Sequence, residues 1–158
     1  AIFLILYWKN NLNLFNEFQN KNILSKFSKK FFYFGVLSCI FLILHASFLG
    51  LDFDSKLFSK IRRFIIILFI VFELIAQIFL TANLFKFKKD IKNYINPLVL
   101  NIKIIFVSLI LFITSLIFIL LIWGDLSGAV KHVLEWNYFS ALLAYYALSR
   151  LLWKKDKT

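Results

Sequence analysis

Long apolar runs separated by short charged stretches set the organisation of this chain. Residues 31–50, 64–85, 99–123 and 128–153 each hold twenty or more residues with few or no charges. An α-helix rises 1.5 Å per residue, so about 20 such residues cross the hydrocarbon core of a bilayer. The pattern predicts an all-α fold: a polytopic transmembrane helical bundle of four complete spans, forming one domain over residues 1–158. Residues 1–8 are apolar but too short to span, and they read as the end of a truncated upstream span. Tyr7, Trp8 and Lys9 close it with side chains that favour the headgroup zone. Residues 10–30, rich in Asn and Lys, read as a polar connector with a short interfacial helix carrying Leu12, Leu14, Phe15 and Phe18. Residues 51–63 read as a short loop, and 86–98 as a basic turn ending at Asn96-Pro97, where proline disfavours helix in the residue before it.

Composition agrees with this reading. Hydrophobic residues make up 61% of the chain and charged residues 17%, and the mean hydropathy is +0.82. A soluble core of this length cannot hide so much Phe, Ile and Leu. The net charge of +11 comes from clusters between the apolar runs, so it points to anionic lipid rather than nucleic acid. Fourteen of the nineteen basic residues fall on one side of the predicted membrane if residues 9–30 are cytoplasmic. That bias places the C-terminus in the cytoplasm. Cys39 is the single cysteine and reads as a packing residue. Methionine is absent and the chain opens inside an apolar run, which suggests missing upstream sequence.

Polar residues inside the spans are the candidate chemistry, because ionisable groups in hydrocarbon are costly and turn toward protein or trapped water. Glu73 and Gln77 lie one turn apart on a shared face of the second span, and Ser38 shares a face with His45 on the first. On the fourth span Glu135, Tyr138, Phe139, Leu142, Tyr146, Ser149 and Trp153 fall on one stripe, with Asn137 opposite. His45, Glu73 and Glu135 come at comparable depth, so the predicted site is one buried polar cluster of His45, Glu73, Gln77, Glu135 and Tyr138. Lys103, in the first turns of the third span, is expected to snorkel to the headgroups, and Trp8, Trp123 and Trp153 to act as interface anchors. No nucleophile elbow, phosphate loop or metal-ligand spacing appears, so no catalytic, cofactor-binding or metal residue is assigned. His45 and His132 can be imagined bracketing a haem, but His132 sits at a helix entrance, and no cofactor is expected.

The final span has Ser127-Gly128-Ala129 entering it, then Glu135-Trp136 and Tyr145-Tyr146. In this it resembles the last span of the DRAM/Frag/Sfk family of six-span membrane proteins. The short acidic stretch Asp52-Phe53-Asp54 and the basic turn between the second and third spans are similar to that family's topology. Arg150 departs from it, since members often carry an acidic residue there. The resemblance implies a non-enzymatic, lipid-associated or regulatory protein of the membrane, with lipids and other membrane proteins as partners, and makes residues 1–8 the end of the second of six spans. Two rivals come from the residues themselves. One is a small proton-coupled transporter using Glu73 and Glu135, and the other an integral-membrane lipid-modifying enzyme with His45 or Glu73 as base.

Overall fold

A computed structural model describes the backbone of residues 1–49, 56–123 and 128–154, with the side chains of 56, 59, 117–132, 134 and 135 left out. The described residues form five helices: α1 (Ile2–Asn20), α2 (Lys30–Leu49), α3 (Lys56–Lys86), α4 (Pro97–Trp123) and α5 (Gly128–Leu152). Among the described residues three helices are long and apolar enough to cross a membrane, over Lys30–Leu49, Lys60–Lys86 and Pro97–Leu116. Only 17% of the first window and 22% of the third are buried within the chain. Apolar surface this bare is compatible with a membrane location.

Three expectations change. The predicted fourth span exists as the continuous helix α5, but with the side chains of 128–132, 134 and 135 outside the described residues, it is not among the three helices found apolar enough to cross there. Glu135, Asn137, Arg150 and the amphipathic tyrosines dilute its apolar character. Residues 56–63, expected in a loop, open α3 instead. The connector 10–30 is not a linker with a short helix, because α1 runs unbroken from Ile2 to Asn20. The predicted acidic stretch Asp52-Phe53-Asp54 lies outside the described residues.

The chain divides into two compact units, residues 1–83 and 84–158. In the first, α1 buries Trp8, Asn11, Phe15 and Phe18, spaced three and four residues apart as one helix face requires. A Schellman motif ends it. Asn22 sits at φ 56°, where Asn is tolerated, the Asn22 N–H donates to Gln19 O at 3.0 Å, and the Ile23 N–H donates to Phe18 O at 2.9 Å. The chain then returns Phe27 and Phe31 against Phe15, with ring centroids 5.1 and 5.7 Å away.

Next to that cluster Trp8 lies flat on Gly35 of α2, so close that a Cβ there would fall 2.4 Å from Trp8 Cδ2. Small residues permit such approaches between apolar helices. Trp8, expected as an interface anchor, is therefore fully buried in the contact of α1 with α2. On the other side of α2, four phenylalanines alternate with α3 as a ladder. Phe79 stacks on Phe34 at 5.8 Å, Phe34 on Phe72 at 6.1 Å, and Phe72 on Phe41 at 5.4 Å. Numbers rise along α2 as they fall along α3, so the pair is antiparallel, and each stack adds about 1 kcal/mol beyond area burial. The Asn83 amide ties down the start of α2, donating to Ser28 O at 2.8 Å and accepting from the Ser28 N–H at 3.4 Å.

In the second unit α4 and α5 pack as a helical hairpin. Leu100, Lys103, Val107 and Ile110 of α4 are buried, as are Leu142, Tyr145, Ser149 and Leu152 of α5. Both sets alternate steps of three and four, the 3.5-residue period of a coiled-coil seam. The buried stripe of α5 thus centres between Tyr145 and Ser149, rotated from the one expected, and Phe139 is exposed. Past α5 the backbone pairs with the turn before α4. The Asn96 N–H donates to Leu152 O at 2.8 Å and the Lys154 N–H to Tyr94 O at 2.9 Å.

Candidate functional site

Among the described residues each unit buries a polar cluster in a helix contact. In the first unit the antiparallel register that sets the phenylalanine ladder also brings Ser38 of α2 level with Glu73 of α3. Glu73 is fully buried, and the Ser38 hydroxyl lies 2.6 Å from its Oε2. Gln77, one turn along α3, donates from Nε2 to Glu73 Oε1 at 3.3 Å. Ser38 Oγ also lies 2.8 Å from Gly35 O. A hydroxyl has one proton, so Ser38 donates to only one of these two oxygens. Whichever it takes, Ser38 Oγ stays within hydrogen-bond reach of Glu73 Oε2 while Gln77 holds Oε1. Both carboxyl oxygens are then engaged by side chains of the same unit, and the group acts as a cross-link between α2 and α3. The sulfur-bearing neighbour of Ser38, Cys39, is also buried.

The remaining predicted site residues lie as follows. His45 is on α2 two turns beyond Ser38, half-buried, and its Nδ1 is enclosed without a hydrogen-bond partner. Tyr138 is half-buried on α5 in the second unit. The Glu135 side chain lies outside the described residues, as does that of His132. Asn137 is exposed and its amide caps a backbone oxygen of its own helix, Val133 O, at 2.8 Å. Among the described residues no group of three His, Cys, Asp and Glu side chains could hold a metal ion.

The second cluster is one that sequence reasoning missed. Lys103 does not snorkel. It is fully buried, its ammonium reaches Ser149 Oγ, and it sits 4.0 Å from the centroid of the Tyr145 ring. Ser149 in turn donates to Tyr145 O at 2.8 Å. Cation–π attraction and an oriented hydroxyl make the α4–α5 seam a competitive home for the ammonium. The signal was present in the seam spacing: Lys103 falls in step with Leu100, Val107 and Ile110, and Ser149 in step with Leu142, Tyr145 and Leu152. A lone polar residue in such a seam fixes register at a cost in stability. Lys103→Met should therefore leave the second unit as stable as before, or more stable by about 1 kcal/mol. Titration with SDS in mixed micelles checks this, and a loss of stability would mean that the amine contributes more than register.

No family profile, curated protein or solved structure matches the chain.

Proposed function

We propose that this chain is a multi-pass integral membrane protein that works without catalysis, as a lipid-associated or regulatory factor of DRAM/Frag/Sfk type. In this reading α5 is the fourth span and the C-terminus is cytoplasmic. Among the described residues three helices are long and apolar enough to cross a membrane, and two of them bury less than a quarter of their apolar stretch within the chain. The observation that carries the non-catalytic part is the engagement of both Glu73 oxygens by Ser38 and Gln77. A carboxyl spent on holding two helices together is membrane glue of the kind polar side chains commonly supply. The asymmetric distribution of Lys and Arg supports the orientation.

A second reading, a proton-coupled carrier, draws on the complete burial of Glu73 within an apolar helix, since intramembrane carboxyls often mark ion pathways. Reconstituted vesicles separate the two. A pH gradient should drive no uptake or proton flux above that of empty vesicles. Flux that is present in the native chain and vanishes in Glu73→Gln would replace the first reading with the second.

A further inference from the structure

The end of α3, the turn 87–96, the start of α4 and the end of α5 come together at one end of the second unit, held by the backbone pairing of Tyr94 and Asn96 with Lys154 and Leu152. Lys86, Lys89, Lys92, Arg150 and Lys154 are exposed there and Lys88 is half-buried. Asp90 is the one acid in the same stretch, and among the described residues it forms no ion pair with any of them. Two of the lysines brace the turn through neutral acceptors: Lys88 donates to Asn101 Oδ1 at 2.9 Å and Lys154 to Lys92 O at 3.3 Å. Those bonds fix the ammonium groups in place and leave their charge uncompensated. Tyr94 and Trp153, both half-buried, lie on the paired segments. Amphipathic rings of this kind settle at the headgroup level.

We propose that this end of the second unit binds the headgroups of anionic phospholipids. The cations flank the ends of α3 and α4, the two longest apolar helices, so they lie where a spanning helix meets the headgroup zone. That position and the aromatic pair favour a lipid surface over an acidic soluble partner. The backbone pairing makes the surface a built one, since it holds the last turn of α5 against the basic turn. The inference rests on the membrane reading above and adds a ligand class to it. Each lysine beside an anionic surface contributes about fivefold to binding.

The test is native mass spectrometry of the full chain released from micelles containing equimolar phosphatidylglycerol and phosphatidylcholine. The native chain should retain phosphatidylglycerol in preference by about tenfold or more. The preference should collapse in Lys86→Gln/Lys89→Gln/Lys92→Gln and persist in Lys60→Gln. Because the attraction is screened, raising the salt to about 0.5 M should also shrink the preference in the native chain, a readout that needs no variant to fold. Equal retention of the two lipids, or a preference untouched by both the triple substitution and salt, would overturn the inference. So would its complete loss to millimolar inorganic phosphate, which would mark a site for free phosphate. A chain that retains neither lipid and leaves membranes in alkaline carbonate would sink the membrane reading itself, an outcome distinct from losing the preference alone.

Discussion

Gly35→Ala should destabilise the first unit by about 1–3 kcal/mol, against the usual direction of that substitution in a helix. Replacing glycine by alanine inside a helix ordinarily gains roughly 1 kcal/mol. Here the added methyl would lie 2.4 to 2.6 Å from three atoms of the Trp8 ring, which itself is fully buried. The clash outweighs the propensity gain, and α1 must lift from α2. Gly35→Val should cost more still. Trp8→Ala removes the opposing ring, so the double variant Trp8→Ala/Gly35→Ala should be markedly less destabilised than the two single effects predict together. Unfolding in SDS mixed micelles, followed by helical circular dichroism, measures all four proteins. Additive single effects would mean that the ring and the glycine do not meet.

Glu73→Ala should cost about 2 kcal/mol, because it strips a partner from two buried polar groups at once, Ser38 and Gln77. Glu73→Gln should cost less than about 1 kcal/mol. Its amide can meet Ser38 Oγ and its oxygen can accept from Gln77, so both contacts survive without the acid. The contrast between the two substitutions carries the argument. If Gln were as damaging as Ala in the same unfolding assay, the cluster would depend on a carboxylate charge and the cross-link account of Glu73 would fail. Ser38→Ala should fall between them, since it removes the contact at Oε2 and leaves the one with Gln77.

The helices were legible because their signal is composition over a long window. The first run, residues 31–50, meets α2 within one residue at each end, and the third, 99–123, meets α4 within two. What was not legible is how faces rotate and where amphipathic side chains settle. Residues 10–30 read as a linker because Asn and Lys dominate them, yet Trp8, Asn11, Phe15 and Phe18 keep helical spacing and Asn22 supplies the cap. Trp8 and Lys103 carry the residue types of a membrane interface, and both are buried, because each found a specific partner: Gly35 for the ring, Tyr145 and Ser149 for the ammonium. Types alone say where a side chain is content in lipid. They do not say whether a neighbouring helix offers something better.

At the site, the pairing of Glu73 with Gln77 follows from helical spacing alone. Its partner Ser38 depends on the register of α2 against α3, which the phenylalanine ladder sets and no single-helix argument could reach. Depth alone groups His45 with Glu73, whereas along α2 it lies two turns past Ser38, the residue that Glu73 meets.

In the membrane reading proposed above, apolar helices face lipid while their ionisable groups turn inward. Nitroxide labels placed singly at positions 67, 73, 103 and 112, in a Cys39→Ala background reconstituted in bilayers, test it by their collision rates with oxygen and with a water-soluble nickel chelate. Labels at Ile67 and Phe112, exposed on α3 and α4, should collide freely with oxygen, which concentrates in lipid, and hardly at all with nickel. Labels replacing Glu73 and Lys103, both fully buried, should be shielded from both reagents. Free collision with oxygen at positions 73 and 103, matching that at 67 and 112, would contradict the account.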